Sequence, residues 1–251
     1  MNNSVRILQI TDCHLPASPE IAYRDINPHQ SLTRLLEKIL NFSLDFKPDF
    51  ILATGDLSED GSPDSYQWLQ EYLGQFKIPV LALPGNHDDP GLLAETYPTS
   101  PVDSIEVSEH GEWQLIRLNS CLAGTPAGRI KKSNLAELQQ VLAHHVNRPR
   151  LIALHHQPVP VGSLWIDKYA LQKPEGLLQL IDQCEDVKVV VWGHVHQAFE
   201  VDRNGVALMG GPSTARNALP GVHLFTTDQA GAACRWLELM ADGEIRSGIV
   251  R

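Results

Sequence analysis

The chain has 251 residues, 43% of them hydrophobic and 20% charged, with 30 acidic side chains against 20 basic ones and a formal net charge of −10. That composition excludes a disordered, collagen-like or disulfide-dense chain and supplies enough apolar material for one folded domain, expected to span 1–251. An acidic chain without a basic run repels polyphosphate, which argues against nucleic acid and against an anionic membrane surface as partners.

The opening Met1-Asn2-Asn3-Ser4-Val5-Arg6 has no charged region followed by an apolar stretch, and no run reaches the roughly 20 apolar residues needed to cross a bilayer. Cys13, Cys121, Cys184 and Cys234 are scattered, with no CxxC pair. Such spacing suits a reducing compartment, so the cytoplasm is the expected location.

In chain order, Val5 to Thr11 reads as a strand, and Leu32, Leu35, Leu36, Ile39 and Leu40 follow the spacing of a helix with one buried face. Phe50 to Ala53 is the next strand. Ser62-Pro63 starts a helix whose apolar stripe is Trp68, Leu69, Tyr72, Leu73 and Phe76. Val80 to Leu83 is the third strand, and strands alternating with helices predict parallel βαβ units. Beyond Pro90 the expected elements are strands at Ser104 to Val107 and Trp113 to Leu118, a helix from Ser133 to Ala143, a strand at Leu151 to Leu154, a helix at Leu177 to Ile181 and a buried strand at Val187 to Trp192. From Phe199 onward, Val206 to Met209, Val222 to Thr226, Ala233 to Leu239 and Ile245 to Val250 suggest antiparallel strands with turns at Gly205, Gly231 and Gly243. The expected fold is α/β, with two packed mixed sheets flanked by helices and functional groups gathered at the carboxyl ends of the strands.

The buried runs end in a consistent way: Asp12-Cys13-His14, Gly55-Asp56, Gly85-Asn86-His87-Asp88, His155-His156 and Gly193-His194-Val195-His196. In extended backbone, residues i and i+2 point the same way, so Asp12 with His14, and His194 with His196, would each face one ion together. Glycine before Asp56, Asn86 and His194 lets the chain turn sharply and bring separate strands close. Taken singly, a Gly-Asp or an Asp-x-His after a strand is an ordinary turn, and a Gly-His-x-His is as readily a structural pair. Five strand ends carrying ligand types in one chain point instead to a metal site. Carboxylate, amide and imidazole donors suit Fe, Mn, Zn or Co.

The other histidines read more plainly. His144 and His145 lie at a predicted helix end and are expected to be solvated, His29 and His110 have no ligand partner nearby in sequence, and His223 is left open. His156 should point away from His155, and Cys13 away from Asp12 and His14 into packing. Trp165 and Tyr169 follow His156 in a segment that could overhang the metals, where Trp165 would stack on a base or plug the core.

Together the motifs resemble the ordered signature of the calcineurin-like metallophosphoesterases. The resemblance tightens toward the class III cyclic-nucleotide phosphodiesterases through Leu8-Gln9-Ile10-Thr11-Asp12, Ala53-Thr54-Gly55-Asp56-Leu57, Leu83-Pro84-Gly85-Asn86-His87-Asp88, Gly162 to Asp167, Gly193-His194-Val195-His196-Gln197 and Pro212-Ser213-Thr214. It implies a binuclear centre of two divalent ions, Fe or Mn with Zn and Co accepted, bridged by Asp56. Asp12, His14 and His196 would complete one ion, and Asn86, His155 and His194 the other. Substrate would lie against His14, Asn86, His87 and His196, with Trp165 near the base. The chain departs from that type at Cys13, Gln157 and Arg216-Asn217, none of them a ligand position.

The implied activity is hydrolysis of 3',5'-cyclic AMP to 5'-AMP. Two cations lower the pKa of bound water and offset the charge of the anionic diester, which otherwise repels hydroxide. His87, beside the ligand Asn86, is the expected proton donor to the leaving oxygen, oriented by Asp60 or Glu59, with Asp56 as the other catalytic group. The alternatives are another diester or monoester, such as a 2',3'-cyclic nucleotide or a glycerophosphodiester, and a non-catalytic scaffold. The sequence leaves oligomeric state open.

Overall fold

The computed structural model describes residues 4–42, 46–144 and 147–251, so His145 and the first three residues lie outside the described residues. The first half consists of β1 (Val5–Ile10), α1 (Pro28–Phe42), β2 (Phe50–Thr54), α2 (Pro63–Gly74) and β3 (Val80–Leu83). α2 begins as its sequence requires: the Ser62 side chain accepts a hydrogen bond from the Ser65 amide, and Pro63 occupies the first turn, where a missing N–H costs nothing. α1 buries Leu32, Leu35, Leu36 and Ile39 along one stripe; the side chain of Leu40 lies outside the described ones.

The rest of the chain adds α3 (Pro90–Thr96), β4 (Glu106–His110), β5 (Trp113–Arg117), α4 (Lys132–Ala143), β6 (Arg150–Ala153), α5 (Leu164–Asp167), α6 (Glu175–Asp182) and β7 (Val187–Trp192). β8 (Phe199–Arg203), β9 (Val206–Gly210), β10 (Cys234–Leu239) and β11 (Ile245–Val250) complete it. They form two mixed sheets, ordered β11-β10-β1-β2-β3 and β4-β5-β6-β7-β9-β8. Within the first, β1, β2 and β3 run parallel; within the second, β5, β6, β7 and β9 do.

Three cores explain why most of these strands read as continuous apolar runs: both faces of each sheet are covered. Ile7, Phe50, Leu52 and Leu83 meet Leu115, Leu151, Val189 and Val191 between the sheets. Leu8, Ile10, Ile51 and Ala53, the alternate residues, pack against Leu32, Leu36 and Leu69 of α1 and α2. On the far face, Ile152, Val190 and Trp192 pack against Leu138, Leu177 and Ile181 of α4 and α6. Among the described residues no helix is long and apolar enough to cross a membrane.

Several expectations are corrected. Val222 to Thr226 is not a strand: Leu224 is 79% exposed, and Phe225 turns onto Trp165, with ring centroids 4.9 Å apart, so side-chain contacts override the β-type composition. The strand expected at Ser104 to Val107 is shifted to β4, because the two-residue turn at Gly111 (φ +54°) fixes His110 opposite Trp113. β9 pairs antiparallel with β8 but parallel with β7, so the last strands are not all antiparallel. Edge strand β8 and the short α3 and α5 carry too little periodicity to be read from sequence.

The contact between the sheets gives a stability prediction. Leu52→Ala should lower unfolding free energy by about 2–5 kcal/mol in chemical denaturation, the cost of a cavity in a packed interlayer. A loss below about 1 kcal/mol would show that the sheets do not depend on this packing.

Candidate metal centre

The seven residues singled out as ligands all emerge just beyond the carboxyl ends of parallel strands. Asp12 and His14 follow β1, Asp56 follows β2, Asn86 follows β3, His155 follows β6, and His194 and His196 follow β7. Since β1, β2 and β3 are neighbours in one sheet and β6 and β7 in the other, stacking the sheets brings five strand ends to one place.

The local geometry differs from the extended arrangement expected for Asp12 with His14 and for His194 with His196. Both strands have already ended, and Asp12 (φ +51°), His14 (φ +46°), Asp56 (φ +49°), His194 (φ +67°) and His196 (φ +47°) all have left-handed backbone. Each such non-glycine residue costs about 1–3 kcal/mol, and clusters of them mark functional sites. The conformation is held by paired loops: the Asp12 amide donates to the Gly55 carbonyl, and the His14 amide to the Asp56 carbonyl, both at 2.9 Å.

Of the three glycines, Gly55 (φ +93°) serves a sharp turn. Gly85 and Gly193 serve close approach instead: a Cβ on Gly85 would collide with the Asp56 amide and Oδ1, and one on Gly193 with Thr11 Oγ1 and Asp12 Oδ2.

The donor atoms are oriented by their second contacts. Nδ1 of His14 lies 2.7 Å from Glu59 Oε2, that of His196 2.7 Å from the Arg216 carbonyl oxygen, and that of His155 2.8 Å from the Thr54 carbonyl oxygen. Oxygen acceptors assign the ring hydrogen to Nδ1 and turn the Nε2 lone pair inward. Nε2 of His14 and of His196 then face each other at 3.0 Å. Nε2 of His155, Nε2 of His194 and Oδ1 of Asn86 are buried without a hydrogen-bond partner. Asp56 Oδ2 lies 3.9 Å from His14 Nε2 and 3.3 Å from His155 Nε2, while Asp12 Oδ1 lies 3.3 Å from His196 Nε2. Imidazole nitrogens and carboxylates converging in this way fit divalent cations in place of protons.

Electrostatics agree. Burial opposes ionisation of Asp12 and Asp56, yet His196 draws Asp12 down and His155 holds Asp56 well below the usual carboxylate range. Burial lowers His14 and His194, keeping those rings neutral. For His155 burial is outweighed by Asp56, which lifts it to about 9, and Asp12 lifts His196 in the same way. A cation bound there would replace protons on those two rings.

His87 stands at the edge of the cluster, with a 37% exposed side chain. Its Nδ1 lies 3.3 Å from Glu59 Oε2 and 3.2 Å from the Glu59 carbonyl oxygen. Glu59 is therefore the carboxylate that orients His87, while it also holds His14. Asp60 does not: it accepts from the Ala17 and Ser62 amides. His156 does not point away from the cluster, since its ring lies 4.6 Å from that of His194 and 4.9 Å from that of His155. Its Nε2 donates to the Pro126 carbonyl and its Nδ1 accepts from Ser120 Oγ, leaving no lone pair for a metal, and burial pushes it down to about 3. Cys13 is fully buried among the α1 and α2 packing residues. His29 is buried edge-on against Trp68, His110 leans on Phe50, and His144 and His223 are exposed.

Above the cluster lies a cavity of about 340 Å³ walled by His14, His87, His196, Tyr23, Trp165 and Phe225. Tyr23 stacks on His14, with centroids 4.5 Å apart and planes 2° off parallel. Trp165 is half-buried, edge-on to Phe225 and 6.4 Å from His196, and it both lines the cavity and packs against the core beneath it. Its helix is tied to the ligand loops: Gln157, two residues after His155, donates to the Ile166 carbonyl, and Gln197, next to His196, accepts from Ser163 Oγ. Sequence reading missed Tyr23 and Phe225. The one available signal for Tyr23 is the long connection between β1 and α1 directly after a ligand strand, the kind of segment that usually has a functional reason.

The close approach at Gly193 gives a direct test. Gly193→Ala should fold but bind divalent cations at least tenfold more weakly in calorimetric titration, because Asp12 must move. Unchanged affinity would show that this approach does not set the centre.

Comparison with known proteins agrees with this architecture. Residues 5–198 match the calcineurin-like phosphoesterase family. The chain is 36% identical to the 3',5'-cyclic adenosine monophosphate phosphodiesterase CpdA of Escherichia coli (strain K12), over 98% of this chain and 90% of that protein. It is also 36% identical to a 3',5'-cyclic-nucleotide phosphodiesterase of Nostoc sp., over 98% of this chain and 92% of that one. Among solved structures, a dimetal phosphatase from Danio rerio superposes with a TM-score of 0.70 at 13% identity, covering 97% of this chain and 98% of that chain, a likeness of fold. The chain belongs to the calcineurin-like phosphoesterase family.

Proposed function

We propose that the protein is a one-domain, metal-dependent phosphodiesterase that hydrolyses 3',5'-cyclic AMP to 5'-AMP at a binuclear centre. The observation that carries this reading is the position of Asp56. Its Oδ2 lies between the His14 side of the cluster at 3.9 Å and the His155 side at 3.3 Å, directly beneath the aromatic cavity. Asp12, His14 and His196 would hold one cation, Asn86, His155 and His194 the other, and Asp56 both. An all nitrogen and oxygen donor set favours Fe or Mn and accommodates Zn and Co. Two such cations, when bound, activate water and offset the charge of the phosphoryl oxygens.

The chain's own residues supply the rest. The cavity takes a small monoanionic diester, which an acidic chain repels far less than a polyanion. Trp165 and Phe225 offer faces for the base, and His14, Asn86, His87 and His196 surround the phosphate position. Glu59 accepts from His87 Nδ1 and fixes a ring that lines the cavity, where it can pass a proton to the departing 3'-oxygen. Relatives of similar length named for cyclic-nucleotide hydrolysis support the substrate. Four free cysteines support the cytoplasm as the compartment.

The experiment is turnover after reconstitution with Mn or Fe, comparing wild type with His87→Ala. The wild type should convert cyclic AMP to 5'-AMP. The variant should keep its metal and lose about 10²–10⁴ in rate on cyclic AMP, but much less on an aryl diester whose leaving group hardly needs a proton. Equal losses on both substrates would remove His87 from the proton-donor role, and an inert wild type would remove the substrate assignment.

A further inference from the structure

Arg216 stands where the chain departs from the type it resembles, and the metal centre uses only its backbone carbonyl, 2.7 Å from His196 Nδ1. Its side chain, 16% exposed, joins two loops far apart in the sequence. Nη1 donates to Asp25 Oδ1 at 3.0 Å, while Nε and Nη2 donate to Thr227 Oγ1 at 3.2 and 2.6 Å.

Each anchor stands beside one aromatic wall of the cavity. Arg24 and Asp25 are the tip of a tight turn closed by reciprocal backbone hydrogen bonds between Tyr23 and Ile26, at 2.9 and 3.2 Å. Tyr23, at the base of that turn, is the wall stacked on His14. Thr227 pairs with Ala218 at the base of the other loop, where the Leu219 amide donates to the Thr226 carbonyl at 2.8 Å. Phe225, two residues before Thr227, is the other wall. The Arg216 guanidinium also lies 5.0 Å from the centroid of the Phe225 ring, within range of cation–π attraction. The first turn has little packing of its own: Arg24 and Asp25 are exposed, Ile21 is 50% exposed, and Arg24 has left-handed backbone (φ +57°). Its place therefore depends on what holds Asp25.

We propose that Arg216 is a positioning residue that fixes the Tyr23 and Phe225 walls relative to each other and so sets the preference for a diester that carries a nucleoside. This rests on the function proposed above and names a determinant of its specificity. The arrangement calls for arginine, because one planar guanidinium meets a carboxylate and a hydroxyl at once, whereas a lysine ammonium is a point charge on a flexible stem. Walls fixed in advance spare the base the cost of ordering them. They touch the base in ground state and transition state alike, so their loss belongs in KM and not in kcat.

The experiment compares Arg216→Gln, Arg216→Lys and Asp25→Ala with wild type, all metal-loaded, on cyclic AMP and on methyl para-nitrophenyl phosphate, a diester with no nucleoside. Arg216→Gln should raise KM for cyclic AMP about fivefold or more, with kcat for cyclic AMP and kcat/KM for the small diester changed less than about twofold. Arg216→Lys should behave as Arg216→Gln does, since it keeps the charge and loses the fork. Asp25→Ala should raise KM for cyclic AMP in the wild-type background and add nothing in Arg216→Gln protein. Affinity for 5'-AMP, measured by calorimetry without turnover, should fall by a similar factor. Metal content should stay that of the wild type, because His196 is held by the Arg216 backbone. An unchanged KM, equal losses on both substrates, wild-type KM in Arg216→Lys, additive effects of the two substitutions or loss of metal would each overturn this inference and leave cyclic AMP as the substrate. A wild type inert on cyclic AMP would overturn the reading on which it rests.

Discussion

Two imidazole nitrogens facing each other at 3.0 Å with both ring hydrogens committed elsewhere are the constraint around which the rest of the molecule is arranged. His14 gives its Nδ1 hydrogen to Glu59 and His196 to the Arg216 carbonyl, so the two Nε2 atoms are left to share a proton or to bind a cation. Asp12 and Asp56 add negative charge in the same buried volume. A cluster of this kind is stable as a neutral protein interior only if protons or cations occupy it. The left-handed backbone at five of its members shows that the surrounding fold is strong enough to hold it.

That strength comes from the joining of two sheets. The hydrogen bonds that orient ligands are in several cases the same ones that tie one sheet to the other. His155, from the second sheet, donates to the Thr54 carbonyl of the first, and the His194 amide donates to Asp12. Gln9, fully buried in β1, donates to both Thr54 Oγ1 and the Trp192 carbonyl. Glycines 85 and 193 permit the approach, so the interlayer packing and the donor geometry are one structure. Glu59 extends the arrangement outward by contacting His14 and His87 with one carboxylate oxygen, linking a buried ring to one that reaches solvent.

The alternation of buried runs with helical stripes made the βαβ units legible in the sequence, and the repeated placement of Asp, Asn and His after those runs made the cluster legible too. Backbone conformation was not. Nothing in an Asp-x-His reports a left-handed φ, which arises from the paired loops after β1 and β2. Tyr23 and Phe225 were hidden for a related reason, because their roles come from contacts between loops far apart in the chain. Phe225 was further obscured by sitting in a run with strand-like composition. His156 misled in the opposite direction: strand alternation turns it away from His155, whereas Ser120 and Pro126 pull its ring against the ligands.

The central claim is that this cluster is built for two cations sharing Asp56. The most direct measurement is metal content per chain by elemental analysis after reconstitution and removal of unbound ion, on the wild type and on Asn86→Ala. The account predicts two equivalents in the wild type and about one in Asn86→Ala. A single equivalent in the wild type, or two retained by Asn86→Ala at unchanged affinity, would contradict it.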